Sequence, residues 1–224
     1  MSGVVTLLPW RQIHTVLLDM DGTLLDLRFD NHFWLEYMPH RYGEVHGLDL
    51  EQARTELLAR YRQVEGTLAW YCLDYWTQEL GMEIAALKRE VEHLIAVHPY
   101  AMEFLDAVRT AGKQVVLVTN AHPDSLSLKM EKTQLAGHFD ALISAHELGL
   151  AKEQPEFWPR LRAQENFDPA TTLLVDDNLN ILRTAGDYGI AYLVSVLRPD
   201  SAHPPKAPGE FPAIHDFSEL LPLG

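Results

Sequence analysis

One stretch constrains the chain more than any other: Val16-Leu17-Leu18-Asp19-Met20-Asp21-Gly22-Thr23-Leu24-Leu25. An apolar run ends abruptly in two acids at i and i+2. Such a run, bounded by turn chemistry, reads as a buried strand of a parallel sheet. On extended backbone, residues two apart point the same way. Asp19 and Asp21 can therefore share one pocket at the strand's carboxyl end, where open α/β sheets bind ligands. Gly22 permits a tight turn and a close approach of backbone to a ligand. Two neighbouring carboxylates repel and resist joint ionisation. The pair makes chemical sense if a cation lies between them or if one of them holds a proton. Both arrangements serve phosphoryl transfer, in which one carboxylate attacks, a hard Mg²⁺ neutralises charge and the second acid moves a proton.

Beyond this strand the pattern divides in two. Between residues 26 and about 98 no convincing β run occurs. Leu50, Ala53, Leu57, Tyr61 and Val64 recur at helical spacing, and Leu68–Leu80 and Met82–Val97 read as two further helices split by Gly81. From Pro99 onward strands and helices alternate. Val115–Val118, Ala141–Ile143, Leu173–Val175 and Tyr192–Val194 read as strands; Ala101–Ala111, Pro123–Leu135, Pro155–Gln164 and Leu179–Tyr188 read as helices. Alternation of this kind predicts an α/β fold, a parallel sheet with helices on both faces. After Leu197 come six of the 13 prolines, so the tail is expected to be irregular, with a last helical turn at Phe217–Leu221. The expected division is a core of residues 1–26 and 99–224 and a helical insert of residues 27–98, hinged at Asp26–Asp30 and His98–Pro99.

Charge narrows the partners. Asp and Glu number 32 against 18 Lys and Arg, a net charge of −14. That field repels nucleic acid polymers and anionic membranes, so neither is an expected partner. No run approaches the ~18 apolar residues of a membrane span, and Met1–Trp10 has no basic segment leading into an apolar one. Cys72 is the only cysteine, which rules out an internal disulfide and suits a reducing cytosol. The expected location is cytoplasmic, and the expected assembly a monomer or small homo-oligomer.

Three further polar clusters close the other strands. Thr119 and Asn120 follow Val118; a hydroxyl and the backbone N–H groups after it can hold phosphate oxygens near a helix N-terminus. Lys152 lies between a strand and a helix, so its charge can reach the same sheet edge. Asp176, Asp177 and Asn178 end the run Leu173–Val175. Each cluster by itself is ordinary turn and cap chemistry. Together they line one edge in the order Asp-x-Asp, Thr, Lys, Asp-Asp.

That order resembles the four-motif signature of the haloacid dehalogenase (HAD) superfamily, and the resemblance spans the whole chain. It implies a HAD-like Rossmannoid sheet with an inserted α-helical C1 cap. It implies Asp19 as the nucleophile that forms an aspartyl-phosphate and Asp21 as the general acid–base. Thr119, Asn120 and Lys152 would bind phosphate, and Asp19, Asp21, Asp176 and Asp177 would hold Mg²⁺. Asp21 and Thr23 argue against the haloacid dehalogenases themselves, which need no proton donor there. Within the insert, Asp26–Trp34 and Leu68–Trp76, with Thr119–Pro123, are similar to the bacterial GMP/IMP 5′-nucleotidases. This narrower likeness implies a purine nucleoside monophosphate as substrate, read by Phe33, Trp34, Trp70 and Tyr71, because purines stack on aromatic faces. Most of the insert's aromatics are nevertheless expected to form its own small core. The alternatives are a phosphatase for a sugar phosphate or phosphoglycolate, and a catalytically silent nucleotide-binding member of the superfamily.

Overall fold

The computed structural model describes residues 8–221 and 223. The expected parallel sheet is present, with six strands in the order β3-β2-β1-β4-β5-β6. β1 (Thr15–Leu18) is wholly buried and pairs in parallel with β2 (Gln114–Thr119) on one side and β4 (Thr172–Asp176) on the other. β3 (Ala141–Ser144) extends the sheet beyond β2, and β5 (Tyr192–Val196) beyond β4. Sequential strands lie on opposite sides of β1, so the chain reverses direction there. The carboxyl ends of β1, β2 and β4 open onto one crevice, the usual ligand site of a doubly wound sheet.

Apolar side chains of alternate strand positions face two separate clusters. Val16, Leu18, Val115, Leu117, Leu173 and Val175 pack with α7 (Ala101–Thr110) on one face. Leu17, Val116, Val118 and Leu174 pack with α10 (Phe157–Glu165) and α11 (Leu179–Tyr188) on the other. This two-faced burial explains why these strands read as continuous apolar runs rather than alternating ones.

The segment between β1 and α7 is helical, with a third cluster of its own. Arg28–His32 (α1) runs through a π-helical turn at Phe33–Tyr37 into α2 (Met38–His46), a helix that the residue spacing did not reveal. α3 (Leu50–Val64) starts on a capping box between Asp49 and Gln52. The helix expected over Leu68–Leu80 breaks at Cys72 into α4 (Leu68–Tyr71) and α5 (Leu73–Leu80). The one expected over Met82–Val97 stops early, as α6 (Ile84–Glu90), and a 3-10 turn at Glu92–Leu94 leads into extended chain at Ile95. The two connections run side by side: Leu25 bridges Val97, Asp26 N–H donates to Ala96 O at 2.9 Å, and His98 N–H to Leu24 O at 2.8 Å.

Two smaller departures concern the core. α8 (Pro123–Thr133) is followed, after β3, by an unforeseen short helix, α9 (Ala145–Leu148). In the proline-rich tail, β6 (Ala213–Ile214) adds a two-residue edge strand to β5. Two residues are too few to show a period. The expected turn near Phe217 is present, with Phe217 and Leu220 buried.

Candidate active site

Asp19 directly follows β1, its N–H donating to Val175 O at 3.0 Å. Backbone then folds tightly: Leu24 and Leu25 N–H return to Met20 O, and Gly22 takes φ +84°. A Cβ at Gly22 would lie 2.9 Å from Asp177 Cγ. Glycine here therefore admits both a left-handed turn and the close approach of the acid after β4.

Asp19, Asp176 and Asp177 each place a carboxylate oxygen within 4.8 Å of the others. Lys152 is fully buried among them. Its ammonium donates to Asp19 Oδ1 at 2.6 Å, Asp176 Oδ2 at 2.8 Å and Val118 O at 3.0 Å. Burial pushes Asp19 up to about 6 despite the Lys152 charge beside it. Burial also raises Asp176 to about 6 against Lys152, and burial with the Asp19 charge raises Asp177 to about 6. Three acids that resist ionisation together are short of positive charge. Their donor set is all hard carboxylate oxygen, which suits Mg²⁺.

The polar residues divide into those facing the crevice and those bracing it. Thr119 Oγ1 accepts Ala121 N–H at 3.0 Å, which fixes the turn after β2 and leaves the hydroxyl proton free to donate. Asn120, expected to bind phosphate, has its side chain engaged elsewhere: Oδ1 accepts Lys152 N–H at 2.9 Å and Nδ2 donates to Glu153 Oε2 at 2.9 Å. It lines the crevice but holds the Lys152 loop. Asp176, expected at the metal, accepts from Lys152 through Oδ2 and from Asn178 N–H through Oδ1 at 2.9 Å. The freer acid is Asp177, whose Oδ2 faces Lys206 Nζ at 3.0 Å.

Several participants were not foreseen. Asp21 does not stand alone. Lys129 Nζ donates to Asp21 Oδ1 at 2.6 Å and to Asp30 Oδ2 at 2.7 Å, and Lys88 Nζ donates to Asp30 Oδ1 at 2.6 Å. Lys88 and Lys129 are both almost completely buried. Burial would raise Asp30, but the charges of Lys129 and Lys88 prevail and hold it well below the carboxylate range. For Asp21 burial prevails over Lys129, and its pKa lies at about 6. A sequence signal did exist: Lys129 lies three residues after Leu126, and Lys88 four after Ile84, both on buried helix faces. A lysine there needs a buried acid. Lys206, in the irregular tail, had no such signal.

The crevice is a cavity of ≈ 550 Å³, a size typical of small-ligand sites. Its lining includes Asp19, Asp21, Thr119, Lys152 and Asp177 from the sheet edge and Trp34, Trp70, Tyr71 and the charged Asp30 and Lys88 from or beside the insert. Phe33 does not reach it: the side chain is fully buried, stacked 5.9 Å from Tyr37 within the insert's own cluster. Tyr71 OH donates to Glu153 Oε1 at 2.8 Å and so ties the insert to the Lys152 loop. Trp34, Tyr61, Trp70 and Trp76 meet edge to face, part of the insert's own core that most of its aromatics were expected to form.

The family model of haloacid dehalogenase-like hydrolases matches residues 13–189, from the approach to β1 to the end of α11. The chain belongs to that family. Among curated relatives of this HAD hydrolase, the GMP/IMP nucleotidase YrfG of Escherichia coli (strain K12) is 39% identical over 215 residues, 96% of this chain and 97% of that protein. A phosphoglycolate phosphatase of Nitrosospira multiformis is 30% identical over 190 residues, covering 79% and 80%. In three dimensions, the crystal structure of a HAD phosphatase from Thermococcus onnurineus superposes with a TM-score of 0.78 at 20% identity, covering 93% of this chain and 96% of that one. The HAD fold expected from the four motifs is thus present, and the chain is a phosphatase of the superfamily. No helix among the described residues is long and apolar enough to cross a membrane.

Proposed function

We propose that the protein is a Mg²⁺-dependent 5′-nucleotidase acting on purine nucleoside monophosphates, GMP and IMP above all. One observation carries this reading. A single cavity is lined both by the acids and lysine gathered at the ends of β1, β2 and β4 and by aromatic side chains of the insert. A phosphate and a purine differ in just this way. The 39% identity to a GMP/IMP nucleotidase along nearly its full length supports the same choice.

The chemistry follows from the side chains. Asp19, held by Lys152 at 2.6 Å, attacks the phosphorus atom and the ester P–O bond breaks, leaving an aspartyl-phosphate. Asp21, at about 6 near neutral pH, donates its proton to the departing 5′-oxygen. It then takes a proton from water as the water attacks phosphorus and frees Asp19. Lys152 and the Thr119 hydroxyl hold the phosphoryl oxygens. Asn120 and Asp176 position the Lys152 backbone and ammonium. Asp19 and Asp177, with Asp176 behind them, would hold Mg²⁺; when bound it neutralises the phosphate dianion among the acids. Residues 27–98 serve as a lid, hinged where Leu25 meets Val97, and Trp34 and Trp70 read the base. The expected setting is the cytoplasm.

The test is phosphate release from a panel of GMP, IMP, AMP, pyrimidine nucleotides, sugar phosphates and phosphoglycolate. The expected order puts the purine nucleotides first, with no turnover in excess EDTA. A preference for phosphoglycolate would refute the purine reading, because a two-carbon leaving group makes no use of the aromatic lining. Full rates after chelation would refute the metal site.

A further inference from the structure

A second group of ligating side chains lies away from the acidic centre. Cys72 Sγ and one ring nitrogen each of His122 and His146 fall within 4.8 Å of one another. They come from three elements. Cys72 sits where the expected long helix breaks, at φ −86° and ψ 113°, and that extended residue separates α4 from α5. His122 caps α8, two residues beyond Asn120. His146 lies on α9, just past β3. The imidazoles of His122 and His146 meet nearly perpendicular, 5.1 Å between centroids. His146 Nε2 is a buried atom without a hydrogen-bond partner, and buried polar atoms normally have one. An exposed carboxylate stands beside the set: Asp74 Oδ2, from the first turn of α5, lies 3.6 Å from His122 Nε2, outside the 4.8 Å group of the other three.

We propose that Cys72, His122 and His146 form a site for a borderline-soft divalent cation, Zn²⁺ foremost, with Asp74 as fourth ligand. Thiolate and imidazole prefer Zn²⁺ to Mg²⁺, whereas the carboxylates around Asp19 have the opposite preference. The two sites therefore sort metals by chemistry. In a closed tetrahedron with 2.0–2.3 Å bonds, ligand atoms lie about 3.3–3.8 Å apart, so Cys72, His122 and His146 draw inward by up to about 1 Å and the exposed Asp74 side chain swings in further. Binding releases the Cys72 proton to solvent, and no atom changes oxidation state. His122 Nδ1 accepts Asp124 N–H at 3.3 Å; ligation through Nε2 moves the ring proton to Nδ1 and gives up that cap. The geometry has a consequence. Cys72 and Asp74 belong to the helical insert, His122 and His146 to the sheet domain, and His122 lines the cavity. A bound ion fastens the insert down over the crevice and slows the opening that product release requires. That braking role rests on the insert being a lid; the binding of the ion does not.

The experiment is a Co²⁺ titration of the full-length, metal-free protein, followed by absorption. Cys72 is the only cysteine, so a sulfur-to-cobalt charge-transfer band can arise from it alone. The expected result is a near-ultraviolet band with strong visible transitions of four-coordinate Co²⁺. The band saturates at one ion per chain and is bleached by equimolar Zn²⁺. Cys72→Ser abolishes it, and His146→Ala weakens the affinity at least tenfold. Zn²⁺ raises Tm in the parent protein and not in Cys72→Ser. With Mg²⁺ saturating, Zn²⁺ inhibits the parent at least tenfold more potently than Cys72→Ser. Absence of the band in the parent protein overturns the site. So does an unchanged affinity in folded His122→Ala and His146→Ala, which would mark a thiol binding metal by itself. Equal Zn²⁺ inhibition of parent and Cys72→Ser, with the band present, overturns the brake.

Discussion

Lys129→Met tests whether the buried charges around Asp21 act as one unit. Methionine replaces the lysine stem at similar volume, so the change removes charge without opening a cavity. What it removes is large. Lys129 Nζ bonds Asp21 at 2.6 Å and Asp30 at 2.7 Å, and afterwards Asp30 keeps only Lys88. Removing one partner of a buried ion pair costs about 3–5 kcal/mol, because the other charge is left uncompensated. Asp21 retains 20% side-chain exposure and can recruit water or a proton, which favours the lower figure, about 3 kcal/mol at pH 7.5. For a chain of this length that corresponds to a fall in Tm of roughly 6–12 °C.

The pH dependence separates this cause from poor packing. Asp30 is depressed in the folded state, so its contribution is present above the unfolded carboxylate value and is lost as pH falls through the folded one. Asp21 is raised to about 6, so ionising it already opposes folding, and without Lys129 it opposes folding more. Both effects act in the same direction. The stability gap between parent and Lys129→Met is largest at pH 7–8 and narrows as pH falls through about 6, where Asp21 takes up a proton; the share owed to Asp30, held well below the carboxylate range, persists to more acid pH. Urea denaturation at pH 5, 6.5 and 8 measures it. A double-mutant cycle with Asp21→Asn is expected to give a coupling of about 1–3 kcal/mol. A loss below about 1 kcal/mol, or one equal at pH 5 and pH 8, refutes the network.

Asp19→Asn keeps the shape of the nucleophile but not its charge, and kcat is expected to fall by orders of magnitude; retention of more than about a tenth, a loss of only ~1.4 kcal/mol, refutes the assignment. Gly22→Ala forces a side chain into φ +84° and to within 2.9 Å of Asp177 Cγ. The left-handed conformation alone is expected to cost about 1–2 kcal/mol, read by urea denaturation, with loss of Mg²⁺ affinity alongside; unchanged stability and Mg²⁺ affinity would show that the turn relaxes freely. Trp34→Ala and Trp70→Ala remove aromatic faces from the cavity wall. If these faces stack a base, kcat/KM for GMP falls roughly five- to hundredfold, from ~1–3 kcal/mol of stacking, with little change for p-nitrophenyl phosphate. Equal losses on both substrates in folded variants would refute base reading by the insert.

The chemical centre was legible because its residues obey local rules. Three of the four motifs close buried strands, β1, β2 and β4, and such strands announce themselves as apolar runs ending in polar turns. Asp19, Thr119 and Asp176–Asp177 could thus be placed on one edge without coordinates. What the residues do to one another was less legible. Asp176 and Asp177 are adjacent and identical in type. Yet the first ends β4 with both oxygens engaged by Lys152 and Asn178, while the second faces Gly22 and Lys206. That difference comes from alternation along an extended chain, read against neighbours as far away in sequence as Gly22 is from Asp177, 155 residues. The Asn120 side chain shows the same limit: its amide braces the Lys152–Glu153 loop, bonds that no local pattern announces, while its expected part in holding phosphate rests on backbone N–H.

The insert resisted reading because aromatic residues satisfy core and ligand alike. Phe33 and Trp34 are consecutive on one helical turn and so point in different directions: one is fully buried against Tyr37, the other lines the cavity. No helical period decides between them, since the Phe33–Tyr37 turn is π-helical and shifts the face that follows. The break at Cys72 is likewise invisible to periodicity, because Leu68, Cys72 and Tyr75 keep helical spacing across it. The information there lies in single polar atoms: Cys72 Sγ accepts Tyr75 N–H at 3.4 Å and caps the second helix. A cysteine standing in for the Ser, Thr, Asp or Asn of an ordinary N-cap is a weak cap, weaker than the oxygen acceptors favoured there. Capping is therefore an insufficient reason for a thiol at this break, and the two imidazoles within 4.8 Å of it supply a stronger one.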